Sequence, residues 1–173
     1  MQSRLPLPDI QSLNPEQKAI HDSILATRGN LSGPFLAWMH SPELASHAEK
    51  LGAFCRYKTG LPLVESELLI LCVAARFQCV GEQQIHEPIA AAAGVPTQAI
   101  ADLRQGLRPQ LADPRQQLLA DLARELLSTN RLSPASYAQA SQVLGERLLV
   151  EVVGVLGYYA LVALTLNAFE MQL

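Results

Sequence analysis

Between Glu67 and His86 an apolar stretch of chain carries two carboxylates, two thiols and an imidazole, of which Glu67, Cys79, Glu82 and His86 are the candidate site residues. Cys79, Glu82 and His86 are spaced i, i+3 and i+7, so on a 3.6-residue helix they project from a stripe covering about 60° of arc. One helix face can hold all three. Two chemistries fit these residue types. In the first, a cysteine near a helix start has its thiolate favoured by unpaired backbone N–H groups, the helix dipole and a nearby imidazolium. That thiolate attacks a peroxide oxygen and becomes a sulfenic acid. His86 is then its proton partner, Glu67 the residue that orients His86, and Glu82 a second acid or base. In the second, His86 with Glu67 or Glu82 serves as general acid and base on an organic acid or lactone, and Cys79 only packs. A third reading, a non-catalytic oligomeric binding protein, is left if neither chemistry operates.

A metal centre is weakly signalled. The cluster holds one histidine, and its i, i+4 pair is Glu82 with His86 rather than two histidines. There is no glycine-rich phosphate or dinucleotide loop, so no cofactor is expected. A substrate carboxylate would need a cation, and near the motif Arg76 is the obvious one.

The elements that must position these side chains are helical. Asn14-Pro15, Ser41-Pro42, Asp113-Pro114 and Ser133-Pro134 each set a capping side chain before a proline at the first helical position. Gly29-Asn30, Gly60-Leu61-Pro62, Gly94-Val95-Pro96 and Gly106 with Pro109 mark stops. Helices are predicted over 15–28, 42–57, 64–78, 80–93, 96–105, 114–129, 134–143 and 145–169, with a short turn near 34–39. Residues 1–13, 29–34 and 106–113 are expected to be irregular. Gly81 and a change of hydrophobic phase place a helix start at 79 or 80, on which the dipole argument for Cys79 depends.

With 173 residues and 49% hydrophobic content, the chain is long enough to bury a core, and one domain over 1–173 is expected. A net charge of −3 gives no footprint for nucleic acid. Three cysteines, at 55, 72 and 79, follow no disulfide or zinc spacing, which suits a reducing, cytoplasmic setting. Two prolines in the first eight residues break any apolar signal region. Residues 152–169 carry no charge and approach the length of a membrane span. Their Gly154, Gly157, Tyr158, Tyr159, Thr165 and Asn167 fit a central core helix better, and no membrane is expected as a partner.

The order Glu67, eleven residues, Cys79, two residues, Glu82, three residues, His86 resembles the carboxymuconolactone decarboxylase and alkylhydroperoxidase D-like (AhpD-like) superfamily. Further stretches share the likeness: Gly33-Pro34-Phe35-Leu36-Ala37-Trp38, His40-Ser41-Pro42-Glu43-Leu44, His86-Glu87-Pro88, Gly157-Tyr158-Tyr159 and Leu166-Asn167-Ala168-Phe169-Glu170. The resemblance implies an all-α AhpD-like bundle of about eight helices with its site between helices. It also implies a homo-oligomer, whether dimer, trimer or hexamer, and a peroxidase-like oxidoreductase (peroxiredoxin-type) activity. The peroxidase branch has a Cys-x-x-Cys pair where this chain has Cys79 and Glu82. Without the second cysteine, a sulfenic acid at Cys79 needs an external thiol reductant, or Cys55 or Cys72, to resolve it. A glutamate four residues before the histidine is similar to the decarboxylase-like branch, for which the substrate would be a small organic acid instead of a peroxide.

Overall fold

A computed structural model describes residues 2–31 and 33–172. The expected irregular stretches 1–13 and 29–34 include Met1 and Ser32, and the expected domain also includes Leu173; these three residues lie outside the described ones. Among the described residues the fold is all-α: α1 (Pro15–Arg28), α2 (Phe35–Trp38), α3 (Pro42–Tyr57), α4 (Leu63–Arg76), α5 (Val80–Ala93), α6 (Thr97–Arg104), α7 (Pro114–Thr129) and α8 (Pro134–Ala168). Gln2 and Gln172 form an isolated antiparallel β-bridge.

The punctuation works largely as the sequence predicts. Asn14, Asp113 and Ser133 accept hydrogen bonds from the first-turn amides of α1, α7 and α8, and Asn14 forms a reciprocal capping box with Gln17. Ser41 makes no such bond, so α3 begins at its proline without the expected side-chain cap. The two helices expected over 134–143 and 145–169 are there as two limbs of α8, broken at Gly145, whose φ of 75° and ψ of 165° are not helical. The N-terminal segment expected to be irregular has one turn of 3-10 helix at Ile10–Ser12. It is fastened to the C-terminal end by Ser3 Oγ and the Arg4 amide, both donating to the Phe169 carbonyl.

At the centre is α4, buried without a break from Glu65 to Ala74, as befits a helix apolar on all sides. It packs against α5, α6, α7 and α8, while α3 packs against α1 and α8. Arg115 donates twice to the buried Glu65, at 2.7 and 3.1 Å, which ties α7 to the first turn of α4. The apolar stretch 152–169 lies in the second limb of α8, which also packs on the core. By length and composition α8 can cross a bilayer, yet 56% of its most apolar window is buried inside the protein. Its outer side leaves Val150, Val153 and Leu164 exposed.

The junction between α4 and α5 decides where the expected site residues go. Gln78 has φ 50°, a left-handed conformation uncommon outside glycine. It lets the Gln78 amide reach Ala75 O and the Cys79 amide reach Ala74 O, the paired bonds of a Schellman helix end. The chain turns sharply there and α5 starts at Val80, so α4 and α5 are separate helices, each with its own N-terminus.

Candidate functional site

Glu67 on α4 and His86 on α5 meet across the interface of these two helices, with His86 Nδ1 2.7 Å from Glu67 Oε2. A carboxylate at that distance accepts a hydrogen bond from Nδ1–H and so keeps the ring proton on Nδ1, which leaves the lone pair on Nε2. Nε2 faces Glu82 Oε2 at 3.6 Å and Arg56 Nη1 at 3.5 Å. Glu82 and His86 lie one turn apart on the buried side of α5, as their spacing predicts, and are only 3% and 2% exposed. The 3.6 Å gap is too long for a hydrogen bond, and Glu82 Oε2 has no hydrogen-bond partner. Glu82 Oε2 therefore faces the ring without a partner of its own, and Arg56 Nη1 is the group nearest His86 Nε2.

Burial pushes the Glu82 carboxyl above its ordinary pKa, although His86, Arg56 and Arg28 pull the other way. Glu82 is thus biased towards its neutral, proton-donating form beside an imidazole whose proton is held on the far nitrogen. Burial also opposes the charge on Arg56, but Tyr159, Tyr57 and Glu67 outweigh it and hold the guanidinium cationic. Arg56 donates a hydrogen bond to Tyr159, whose ring meets His86 edge-on at 5.4 Å. Tyr158 stacks edge-on against Tyr159 at 5.2 Å. Burial raises the pKa of both phenols, so both stay protonated.

These groups open on a cavity of about 220 Å³ between α1, α3, α5 and α8. Ile85, Ile89, Val162, Pro34 and Phe35 supply its apolar wall, and Arg28, Arg56, Glu82, His86, Tyr158 and Tyr159 its polar lining. The volume is below the ~300–1,000 Å³ usual for drug-sized ligands, so the site suits a smaller molecule. Glu67 and Glu82 engage opposite nitrogens of one ring and point to different places. Among the described residues, no group of three His, Cys, Asp or Glu side chains is placed to hold a metal.

Cys79 takes a different position. It follows the left-handed Gln78 at the end of α4, precedes the first residue of α5, and is fully buried. Val95 stands at the equivalent place after α5, where Gly94 N bonds Ala91 O and Val95 N bonds Ala90 O, and it too is buried. An apolar side chain after such a helix end packs back on the last turn, and Cys79 fills that role. The expected help from the helix start is present, because the amides of Glu82 and Gly81 favour the thiolate. Burial outweighs them, and the Glu82 charge adds to it, so the Cys79 thiol lies above its ordinary value. Cys79 is not among the residues lining the cavity. Burial pushes Cys55 up to about 11 and Cys72 up to about 12. All three thiols are free.

The expected cation is corrected. Arg76 donates to the Leu127 carbonyl and lines a separate depression with Cys72 and Arg124, away from the Glu82–His86 pair. Arg28 and Arg56 are the cations of the site. Sequence reasoning missed both because each is the basic residue in the last turn of its helix, where a cation already complements the helix dipole.

No family model matches the sequence, and no curated protein matches it. Two solved structures share the architecture. One is titled as an alkylhydroperoxidase AhpD core, an uncharacterized peroxidase-related protein from Ralstonia eutropha JMP134. It has a TM-score of 0.80 at 18% identity and covers 98% of this chain and 91% of its own. The other is an uncharacterized peroxidase-related protein from Silicibacter sp. TM1040, with a TM-score of 0.81 at 17% identity and the same coverage of 98% and 91%. With its eight helices and the buried Glu67–His86 pair between α4 and α5, the chain has the alkylhydroperoxidase AhpD-like fold.

Proposed function

We propose that the chain is an isomerase that moves a proton between two carbons of a small carbonyl compound, acting through its side chains alone. The observation that carries this reading is the unpartnered Glu82 Oε2, 3.6 Å from His86 Nε2 at the cavity, with Arg56 beside the same nitrogen and Glu67 holding the far side of the ring. His86 Nε2 takes a proton from the carbon next to a carbonyl. The C–H electron pair moves into the carbon framework and its charge settles on the carbonyl oxygen, beside the Arg56 guanidinium. Neutral Glu82 returns a proton to a second carbon and becomes a carboxylate. A proton passing from His86 Nε2 to Glu82 then resets both groups, so the cycle closes without a net change in the protein.

The test is deuterium incorporation in D2O, followed by NMR across a panel of small lactones, keto acids and unsaturated acids. Uptake by the wild-type chain that falls by about 10²-fold or more in Glu82→Gln supports the reading. Absence of uptake from every panel member contradicts it.

One observation favours a second reading, a thiol peroxidase. The amides of Gly81 and Glu82 both favour the Cys79 thiolate, and the two similar structures are named as peroxidase-related. The thiolate would attack the hydroperoxide O–O bond, giving a sulfenic acid and releasing an alcohol or water. Two equivalents of an external thiol would then reduce it. Hydroperoxide consumption that is abolished in Cys79→Ser would establish this reading. For the expected homo-oligomer, the exposed Val150, Val153 and Leu164 of α8 are the face we assign to a second copy.

A further inference from the structure

We infer that Arg28 is the anchor for a substrate carboxylate, which makes the natural ligand a small carboxylic acid. This rests on the proton-transfer reading and adds a binding group that the reaction steps leave unused. Arg28 closes α1 and lines the same cavity as His86 and Glu82. Its Nε and Nη2 are buried without any hydrogen-bond partner. Buried donors in native proteins are nearly always satisfied, and a charged group left unpaired costs more than a neutral one.

The contrast with the other arginines is informative. Arg4, Arg104, Arg108, Arg115 and Arg147 each pair with a carboxylate, Arg76 and Arg124 each donate to a backbone carbonyl, and Arg56 meets His86, whereas Arg28 leaves two buried nitrogens without a partner. Its guanidinium carbon lies over the Phe35 ring, 4.8 Å from the centroid, a cation–π contact that holds the head group at the cavity. Gly52 on α3 leaves the room it occupies: a Cβ there would come within 2.5 Å of Arg28 Nη2 and 2.1 Å of Tyr158 Oη. A guanidinium with two unpartnered N–H groups matches the planar, two-oxygen geometry of a carboxylate.

The charges around it narrow the ligand further. Glu67 and Glu82 share the site, and Glu49, buried on α3, acts electrostatically on Tyr158, as Arg28 also does. These acids disfavour a doubly charged phosphate more than a singly charged carboxylate. Arg56, within 3.5 Å of His86 Nε2, sits beside the reacting atoms, so anchoring falls to Arg28.

The test is isothermal calorimetry on the full chain at low ionic strength. The probes are acetate, succinate and benzoate, their neutral amides, and inorganic phosphate. The expected result is binding of at least one carboxylate over its amide and over phosphate. That binding should weaken by about 10-fold or more in Arg28→Gln. It should recover in part in Arg28→Lys and persist in His86→Gln, which loses deuterium exchange. The inference is overturned if no carboxylate binds, if an amide or phosphate binds as well, if Arg28→Gln binds like wild type, or if His86→Gln loses binding. Carboxylate binding that depends on Arg28 without deuterium exchange in the wild type would keep the anchor and discard the proton-transfer reading.

Discussion

Glutamine at position 82 should make the protein more stable, increasingly so as the pH rises. Glu82 is 3% exposed and its Oε2 has no hydrogen-bond partner. Burial raises its pKa from the usual 4.5. A folded-state pKa above the unfolded one means that the native state binds the proton more tightly. The stability held at low pH is then lost as pH rises through the folded-state value. Glutamine keeps the shape and cannot ionise. An ionised group left buried and unpaired costs more than a neutral one, here taken as about 1–3 kcal/mol more, and it is that excess which glutamine removes. For a chain of this size each kcal/mol moves Tm by ~2–4 °C. Glu82→Gln should therefore melt about 2–12 °C above wild type at pH 8, and the difference should shrink towards zero at pH 4. Calorimetric scans at half-unit pH steps give the curve directly. A difference that is flat with pH, or largest at pH 4, would refute a buried, proton-retaining Glu82.

Glu67→Gln should leave His86 in place and deprive it of the carboxylate that sets its tautomer. Deuterium exchange should fall by about 10²–10⁴-fold with little change in carboxylate binding, read by NMR and calorimetry. Cys79 should alkylate slowly in a Cys55→Ser, Cys72→Ser background, with a midpoint above the ~8.5 of a free cysteine; a lower midpoint would return the thiol to the chemistry. Gly52→Ala would place a Cβ 2.1 Å from Tyr158 Oη, so it should cost about 1–3 kcal/mol in a denaturant melt and weaken carboxylate binding through Arg28.

The helices were legible because their ends carry strong local chemistry. Asn14, Asp113 and Ser133 read correctly as caps because a short polar side chain before proline has little else to do. Ser41 shows the limit, because the proline alone sets the start of α3. Glu82 and His86 on one face followed from spacing alone. The Glu67–His86 contact crosses two helices and needed the likeness to a family to be anticipated.

Cys79 illustrates what spacing cannot give. Periodicity counts it on the same stripe as Glu82 and His86, but the left-handed Gln78 takes it out of the helix and into a packing position. Arg28 and Arg56 lie 58 and 30 residues before His86 in the chain, so only the tertiary packing of α1 and α3 brings them to the cavity. No local pattern marks a cation as unpaired. That property exists only once the surrounding side chains are in place.

The central claim is that the cavity pair, and not the thiol, does the chemistry. Its most direct test is to measure deuterium exchange and hydroperoxide consumption side by side in wild type, His86→Gln and Cys79→Ser. The account predicts that exchange collapses in His86→Gln and survives in Cys79→Ser, with hydroperoxide consumption slow in all three. Exchange that survives in His86→Gln, or rapid hydroperoxide consumption that disappears in Cys79→Ser, would contradict it.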